Sequence, residues 1–283
     1  MFSKLFLAVT FLAAIALVLA EDDDSVRRYG WKVSKGSGGG DCNVKKVDIK
    51  DLSLERFKDE FESSAPVIVT GLGDGRNVKF REASAKDAML ERYGKREITL
   101  STANTQSYKK RKVRLEEYIL EVVEEDQSQV EASGTDTWYW FGNNDHDEWA
   151  EFFSAYVLPP FADESKSALS FGIGAKNSGV PFHVHGRVFA ETIVGRKRWL
   201  LLPPGRRPKF DGEKSTASWL TTNLRNNVKH TELLRNVLDC TVSQSEVIYI
   251  PADWWHATLN LDQTVFISAF IDDSVGSKPN LFK

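Results

Sequence analysis

Three histidines are the residues of this sequence best suited to carry chemistry. His183 and His185 are two positions apart, and His256 lies far along the chain. On a β-strand a spacing of two places both imidazoles on one face of the sheet. Neutral imidazole nitrogens bind Fe(II), zinc, copper and nickel. The sequence predicts a metal site if the fold returns His256 to that face, and otherwise three ordinary packed or surface histidines.

A lysine between these histidines is the second candidate. It belongs to the run Gly195-Arg-Lys-Arg-Trp-Leu-Leu201. Strand alternation places Lys197 on the face of Trp199 and Leu201, opposite Arg196 and Arg198. A lysine on an apolar inner face needs an anion, which predicts an anion-binding role. The alternative is that all three cations lie on the surface of a hairpin.

Closely spaced strands must position these side chains. From about residue 168, short β-type segments follow one another, separated by turn signals such as Gly195-Arg196 and Pro203-Pro-Gly205. We predict strands at 168–174, 181–185, 188–194, 197–203, 246–250, 256–261 and 264–271, with a helix over about 215–237. Many short strands with few helices indicate a sandwich or a barrel.

The earlier part of the chain mixes helices and strands. Ser53 is placed to cap a helix whose apolar face carries Leu54, Phe57 and Phe61. We also predict strands at 66–70, 97–101 and 138–141, helices at 83–93 and 115–125, and a polar loop at 126–136. The adjacent Trp254 and Trp255 are expected to pack in the core.

Three motifs, in this order, resemble a JmjC domain of the small hydroxylase type. They are Gly179-Val-Pro-Phe-His-Val-His185, Glu191-Thr-Ile-Val-Gly-Arg-Lys-Arg-Trp-Leu-Leu-Leu-Pro-Pro204, and Glu246-Val-Ile-Tyr-Ile-Pro-Ala-Asp-Trp-Trp-His-Ala-Thr-Leu-Asn260. The resemblance implies a mainly β protein with flanking helices, built as a double-stranded β-helix (the cupin or JmjC jelly roll). It also implies a site for Fe(II) and 2-oxoglutarate that serves hydroxylation or demethylation of protein side chains.

The resemblance assigns roles to individual residues. His183 matches the first metal ligand of the family, His256 matches the last, and Lys197 matches the lysine that pairs with the far carboxylate of 2-oxoglutarate. His185 departs, because the family places an acid there to complete the usual two-histidine, one-carboxylate set. Val180 departs as well, because related hydroxylases often carry a threonine that helps to hold 2-oxoglutarate, and valine has no hydroxyl.

The histidine at position 185 changes the charge of the expected site. Three neutral imidazoles leave a divalent metal at +2, whereas a carboxylate in the set reduces it to +1. The anionic ligand supports the oxidised iron on which the family's chemistry depends, so its loss hinders that chemistry. Metal binding itself is compatible with three histidines, as in zinc enzymes. We therefore expect Fe(II) or another divalent metal at His183, His185 and His256, and doubt the use of 2-oxoglutarate.

The N-terminus has the pattern of a secretory signal peptide. Lys4 precedes an uncharged apolar run from Leu5 to Leu19, small residues follow at Val18 and Ala20, and an acidic segment begins at Glu21. An uncleaved anchor is the alternative, although the run is short for a membrane span. We divide the chain into a signal peptide (1–20), a flexible Gly-rich lead-in (21–41) and a JmjC-type domain (42–283). Within that domain, 42–165 is mixed helical and β, and 166–275 is the jelly-roll core.

Cleavage of that segment would deliver the protein to the lumen of the endoplasmic reticulum or to the outside of the cell. No further apolar stretch has the length of a span, so we expect no membrane span after signal removal. The two cysteines, Cys42 and Cys240, would there meet an oxidising environment. They either pair, tying the N-terminal segment to the core, or remain two separate buried thiols.

The overall charge argues against a nucleic-acid partner. The formal net charge is −3, whereas a general nucleic-acid binder is expected to be basic. The run Lys109-Lys-Arg-Lys-Val-Arg114 looks like a nuclear localisation signal, but behind a signal peptide we interpret it as a solvated loop before a helix. His146 and His230 lie in polar stretches and receive no role.

Three functions are compatible with the sequence. The first is a regulatory or binding protein of the lumen with a protein partner and weak or no oxygenase activity. The second is an active Fe(II)- and 2-oxoglutarate-dependent hydroxylase of a protein substrate, supported by His183, Lys197 and His256. The third is a three-histidine cupin oxygenase that does not use 2-oxoglutarate. We rank them in that order.

Overall fold

Two β-sheets face each other across an interior that is apolar at one end and hollow at the other. The computed structural model describes residues 25–35, 42–124, 134–142, 144, 147–225 and 237–271. In chain order its strands are β1 (Ser25–Arg28), β2 (Trp31–Ser34), β3 (Lys45–Asp48), β4 (Val67–Thr70), β5 (Glu97–Thr102), β6 (Lys110–Arg114), β7 (Trp138–Phe141), β8 (Ser167–Gly174), β9 (Val188–Val194), β10 (Arg196–Leu202), β11 (Leu238–Ser243), β12 (Val247–Ile250), β13 (Trp255–Asn260) and β14 (Thr264–Ile271).

The helices of the described residues are short. They are α1 (Leu54–Phe57), α2 (Val78–Ala83), α3 (Lys86–Tyr93), α4 (Leu115–Glu117), α5 (Ala150–Phe153) and α6 (Thr216–Arg225). α1 continues as a π-helix over Lys58–Glu62 and α4 over Tyr118–Val123, and 3₁₀ turns occupy Ile49–Asp51 and Glu164–Lys166. The predicted cap of α1 is confirmed, because Ser53 Oγ accepts a hydrogen bond of 3.1 Å from Arg56 N.

The sheets have the order expected of a jelly roll. The large sheet runs β3-β4-β12-β9-β14-β8-β7-β5-β6, and the small sheet runs β11-β10-β13. Strands distant in sequence are neighbours in both sheets, as when β9 lies between β12 and β14. The prediction of a mainly β jelly roll with flanking helices is therefore confirmed.

The apolar end of the sandwich and the outer face of the large sheet form separate cores. Between the sheets, Trp199 and Leu201 of β10 pack with Cys240, Ile248 and Trp254. On the outer face, an aromatic cluster includes Phe80, Trp140, Phe152 and Phe171, with rings at 4.8 to 5.9 Å. These contacts fix the strands that carry the site.

Most predicted strands of the second half occur within one residue of their expected bounds. Segment 181–185 is the exception, because it forms a single antiparallel bridge between His183 and His256 and no strand. Pro181 has no N–H to donate to a ladder, which explains part of the break. The carbonyl of His185 accepts from Asp253 N, outside β13, so the segment leaves the sheet after His183.

Two other predictions need correction, and strand β11 was not predicted at all. The helix predicted over about 215–237 is present as α6 (Thr216–Arg225), and the rest of that prediction, residues 226–236, lies outside the described residues. The predicted helix 83–93 is divided into α2 and α3. The basic run 109–114 is not a loop, because residues 110–114 form edge strand β6 against β5. Its lysines are solvated, as expected: Lys110 and Lys112 are exposed.

The flexible lead-in predicted for residues 21–41 is wrong for residues 25–34. Strands β1 and β2 form an antiparallel hairpin there. The side chain of Trp31 is 0% exposed, and its Nε1 donates to Ser84 O at 3.0 Å. The hairpin is also bound to the barrel, because Gln263 Oε1 accepts from Lys32 N at 2.8 Å. Burial of one large aromatic ring thus orders a segment whose composition indicates flexibility.

A disulfide joins Cys42 to Cys240, whose Cα atoms are 4.3 Å apart. The alternative of two separate thiols is therefore excluded. The neighbouring Asn43 reinforces the link, because its N donates to Asp239 O at 3.2 Å and its Oδ1 accepts from Asp239 N at 2.6 Å. Among the described residues no helix combines the length and the apolar character needed to cross a membrane.

Candidate metal centre

Two of the three histidines are placed by one strand pairing. His256 lies near the start of β13, and its backbone exchanges two hydrogen bonds of 3.0 Å with the backbone of His183. His185 follows two residues later on the same segment, so its ring returns to the same side. The structure thus brings together all three histidines that the sequence analysis singled out. His146 and His230 lie outside the described residues.

A backbone carbonyl fixes the Nδ1 atom of each ring. His183 Nδ1 lies 2.8 Å from Pro181 O, His256 Nδ1 lies 2.8 Å from Trp254 O, and His185 Nδ1 lies 2.7 Å from Gly186 O. A carbonyl can only accept, so each Nδ1 carries the proton. The Nε2 atom of each neutral ring is then left with a free lone pair, which is the form that binds a metal.

The three rings converge on one point. Their possible ligand atoms all lie within 4.8 Å of one another. His185 Nε2 and His256 Nε2 are 2.9 Å apart, and the His183 ring centroid is 4.1 Å from that of His256. Two nitrogen lone pairs at that distance repel unless a proton or a cation lies between them. A separation near 3 Å is what two neighbouring ligands at about 2.1 Å from one metal ion produce. The donor set therefore fits a divalent metal.

Burial favours the neutral, metal-binding form of each histidine. It lowers the pKa of His183 to about 3, with repulsion from a protonated His185 as the next cause. Burial also lowers the pKa of His185, and it lowers that of His256 well below its usual value, where repulsion from the other two rings adds to the effect. Near neutral pH all three rings are uncharged, so no proton has to be displaced before a metal binds.

These histidines line one end of a cavity of about 330 Å³ between the two sheets. Lys197 lines the same cavity, as do Tyr139, Trp199 and Phe266. No aspartate or glutamate is among the lining residues, all of which belong to the described part of the chain. A metal at the histidines and a protonated Lys197 would give this cavity two buried positive centres, in addition to the exposed Arg207 at its wall, and no internal counter-ion.

Lys197 lies on the inner face, as strand alternation predicts. It is 3% exposed, whereas Arg196 and Arg198 point outward to Asp262 and Asp239. Its Nζ donates to Tyr139 OH at 2.8 Å and to Asn260 Oδ1 at 3.0 Å, and lies 3.8 Å from the centre of the Phe266 ring.

Its partners are therefore neutral, and burial lowers the pKa of Lys197 well below its usual value. An anion in the cavity would restore the charged form. That binding role itself stays a prediction.

Neither partner of Lys197 was predicted from the sequence. Asn260 lies on β13 four residues after His256 and therefore on the same face, and β10 pairs it directly with Lys197. Strand alternation from His256 could have identified Asn260. Tyr139 comes from β7 of the opposite sheet, and the sequence offers no signal of that contact beyond its place in a β-type segment.

Val180 also lines the cavity, and its side chain offers no hydroxyl there. Thr258 supplies a hydroxyl nearby, but its Oγ1 already accepts a hydrogen bond of 3.1 Å from Val180 N.

The two adjacent tryptophans differ in where their side chains lie. Trp254 is 8% exposed and packs in the core as expected, whereas Trp255 is half-buried and lines the cavity.

Comparison with known proteins agrees with this geometry. A family model described as a cupin-like domain matches residues 53–275. JmjC domain-containing protein 8 of Homo sapiens is 40% identical over 272 residues, covering 94% of this chain and 97% of the human protein. The Mus musculus protein of the same name is 43% identical over 222 residues, covering 78% and 79%.

A likeness to a solved structure is weaker. The ribosomal oxygenase YcfD of Escherichia coli, in complex with cobalt and succinic acid, is 16% identical with a TM-score of 0.48, covering 79% of this chain and 52% of that one. The matched family model and the relatives that cover nearly the whole chain, together with a jelly roll whose interior holds three converging histidines, show that this chain belongs to the cupin-like JmjC domain family.

Proposed function

We propose that this JmjC protein binds a divalent metal through His183, His185 and His256 and acts by binding a protein partner in a regulatory role, with weak or no oxygenase activity. One observation carries the proposal: His185 Nε2 lies 2.9 Å from His256 Nε2. It therefore occupies the ligand position at which the resemblance to the family implies a carboxylate.

The charge of the donor set supports this function. His185 is fixed in the site by the bond from its Nδ1 to Gly186 O, so its Nε2 takes part as a neutral donor. No carboxylate of the described residues belongs to the cluster. A bound divalent metal therefore keeps its full charge of +2. Iron would supply oxidative chemistry in such a site, but the missing anionic ligand disfavours the oxidised metal that this chemistry requires.

The disulfide supports a location in the endoplasmic reticulum lumen or outside the cell. Cys42 and Cys240 are the two cysteines of the chain, and they are paired. Structural disulfides persist in oxidising compartments and are rare in the cytosol. Together with the signal-peptide pattern of the first twenty residues, this pairing favours the secretory pathway as the place where the protein meets its partner.

Active 2-oxoglutarate-dependent hydroxylation is the second candidate. Lys197 favours it, because its buried amine faces the same cavity as the histidines and has only neutral partners. An organic dianion between Lys197 and a metal would satisfy both positive centres. Against it stand His185 and the missing hydroxyl at Val180.

Metal content and succinate formation separate the two functions. We expect the purified full chain to bind one equivalent of divalent metal, His256→Ala to bind none, and Fe(II), O₂ and 2-oxoglutarate to give no succinate above background. Succinate formation that His256→Ala abolishes would overturn the binding-only function. O₂ uptake with Fe(II) in the absence of 2-oxoglutarate would instead support a three-histidine oxygenase.

A gain-of-function variant tests the reason for inactivity. His185→Asp restores the anionic ligand, so we expect 2-oxoglutarate turnover to succinate to appear or to rise at least tenfold. His185→Asn has nearly the same size without the charge and is the matched control. Equal turnover by both variants would show that the charge at position 185 is not the cause.

A further inference from the structure

Strand β6 forms one edge of the large sheet and is strongly basic. Among the described residues no strand lies beyond β6, which pairs there with β5 alone. The exposed cations Lys109, Lys110, Arg111, Lys112 and Arg114 occupy five of six consecutive positions. Lysine on an edge strand is a common protection against pairing with other strands. That protection does not act against an acidic strand, because its side chains are attracted to the same cations.

The hydrogen bonds between β5 and β6 show which backbone groups of β6 face the open edge. Thr102 N donates to Lys109 O at 3.1 Å, and Leu115 N donates to Arg96 O at 2.9 Å. In an antiparallel ladder the bonded pairs alternate, so every second residue between Lys109 and Leu115 faces β5, and Lys112 does not. Its N–H and C=O point outward and have no hydrogen-bond partner among the described residues. Such groups are a template for an added strand.

The two faces of β6 differ in the side chains that they carry. Lys110, Lys112 and Arg114 lie on one face, at the strand's period of two. On the other face Val113 is 9% exposed and belongs, with Ile98, to the core on the outer face of the large sheet. A strand added antiparallel to β6 places its side chains directly opposite these, on the same faces. Acidic residues at alternate positions, with apolar residues between them, therefore match this edge.

The cations of this edge are available to a partner. Lys112 pairs with Glu97 and Arg114 with Glu117, but all four side chains are largely in solvent. Exposed pairs of this kind contribute little and are exchanged at little cost. No ion pair of the described residues involves Arg111. The edge therefore keeps a surplus of positive charge that favours an acidic partner over a basic one.

We propose that the β6 edge binds an extended acidic segment of a protein partner as an added antiparallel strand, with acidic side chains at alternate positions opposite Lys110, Lys112 and Arg114. The inference rests on the proposed function, because it names the surface and the chemistry for the protein partner assumed there. Backbone bonds to Lys112 give the strand pairing, and the cations select the acidic sequence.

Two synthetic peptides of one composition test the alternation. Acetyl-Thr-Glu-Val-Glu-Val-Glu-Thr-amide alternates its acids, and acetyl-Thr-Val-Glu-Glu-Glu-Val-Thr-amide groups them. We expect the alternating peptide to bind the full chain about fivefold more tightly in calorimetric titration, because the grouped peptide loses two pairs of opposite charge. Equal affinity would show a surface for polyanions in general and overturn the proposal. Binding of neither peptide would overturn it as well and leave the cations as protection of the edge.

Methylated peptides test the backbone pairing. N-methylation of the central glutamate removes the N–H that would donate to Lys112 O, so we expect the alternating peptide to lose about tenfold in affinity. N-methylation of the valine beside it is the matched control, because that N–H points away from β6, and affinity should change by less than about twofold. Equal losses for the two methylated peptides would contradict an added strand.

A charge reversal assigns the binding to β6. Lys112→Glu places like charges opposite each other, and we expect the alternating peptide to bind at least about tenfold more weakly. Lys58→Glu makes the same change in net charge at an exposed lysine of the π-helix beside β4, near the other end of the sheet, and is the matched control. Equal weakening in both variants would overturn the assignment to β6. Urea unfolding of both variants verifies that the fold is retained.

The β6 edge shares no residue with the three histidines, so its failure can be distinguished from failure of the proposed metal site. Each titration is carried out with a chelator and with Zn²⁺, and metal content is measured on the same samples. A preference for the alternating peptide in protein that binds no metal supports the β6 edge and overturns the metal site. Bound metal without any such preference overturns the β6 edge and leaves the metal site.

Discussion

At the scale of single residues, the orientation of each imidazole is set by the backbone beside it. His183 and His256 use the same local arrangement, in which Nδ1 meets the carbonyl two residues earlier. His185 uses the carbonyl of the next residue. Because backbone carbonyls hold all three rings, their Nε2 atoms converge on one point, and a metal that binds there would not have to reorient them.

The lowered pKa values of the three histidines predict how stability depends on pH. With metal removed, the native chain keeps these rings neutral below pH 6.5, whereas the unfolded chain binds protons there. The contribution of these rings to stability is therefore present above the unfolded pKa of about 6.5 and is lost progressively as the pH falls below it. Each histidine contributes at most about 1.4 kcal/mol per pH unit. Carboxylates with lowered pKa values act at lower pH, which keeps this window clear.

Urea unfolding of the chelated protein between pH 5 and 7.5 measures this dependence. His183→Gln removes one of the three rings and should reduce the slope of unfolding free energy against pH. A free energy that does not change over this range would contradict the lowered pKa values.

Lys197 is expected to cost stability in the ligand-free protein. Burial lowers its pKa, and no acid among the described residues pairs with it. Lys197→Met keeps the volume, removes the buried charge and leaves Tyr139 and Asn260 near each other. We expect the free energy of unfolding to rise by about 1 kcal/mol, as when other buried charges are replaced by apolar residues.

The matched control is Lys112→Met, on an exposed lysine paired with exposed Glu97, which should leave stability unchanged. Chemical unfolding of both variants gives the comparison. A loss of about 2 kcal/mol or more in Lys197→Met would show that the amine supports the fold through its two hydrogen bonds.

At the scale of elements, strands with strong alternation could be predicted from sequence, and elements held by distant contacts could not. Strands β9, β10 and β14 carry β-branched or aromatic residues at the period of two, so local sequence sufficed. Strand β11 begins with Leu238-Asp-Cys, which has a weak pattern and depends on pairing with β10 and on the Cys42 disulfide. Segment 181–185 has the alternation of a strand, but Pro181 and the bond from Asp253 to His185 keep it out of the ladder.

The residues of the site also differ in whether they could be predicted from the sequence. The three histidines and the inward face of Lys197 followed from spacing on single strands. The contact between Tyr139 and Lys197 could not be predicted, because 58 residues separate them in the sequence and the contact depends on how the large sheet packs against β10.

The N-terminal hairpin is an element that depends on one side chain. Trp31 is 0% exposed and packs with the cluster around Phe80 and Met89. Trp31→Ala should lower the free energy of unfolding by about 3–5 kcal/mol, from the lost burial and the cavity it leaves. Leu120→Ala, at a side chain that is 54% exposed, is the control and should change it by less than about 0.5 kcal/mol. A cost below 1 kcal/mol for Trp31→Ala would show that the hairpin is not part of the cooperative fold.

At the scale of the whole molecule, the disulfide closes the chain around the jelly roll. Its cysteines are 198 positions apart, so the bond ties the start of the domain to the small sheet near its end. Cys240 is paired with Trp199, which reaches from the apolar core to the cavity. The disulfide therefore links the N-terminal segment to a strand of the small sheet that lies directly beside the cavity-lining Trp199.

Removal of that bond should weaken the fold and spare the metal centre. In the chain-entropy model a loop of this length contributes about 5 kcal/mol, and measured losses are about 2–5 kcal/mol, so Cys42→Ser is expected to destabilise the protein within this range. The three histidines are held by β13 and the 181–186 segment, whose backbone bonds do not involve either cysteine. Zinc affinity of the folded variant should therefore stay within about twofold of the parent.

Calorimetric titration with Zn²⁺ and urea unfolding of the oxidised parent and the variant separate the two effects. Because Cys42→Ser leaves Cys240 as a free thiol, Cys42→Ser/Cys240→Ala serves as the control for thiol binding of zinc. Stability equal to that of the parent would contradict a structural role of the bond. Loss of zinc binding in a variant that still unfolds cooperatively would instead show that closure of the chain, and not the local backbone alone, holds the three imidazoles in place.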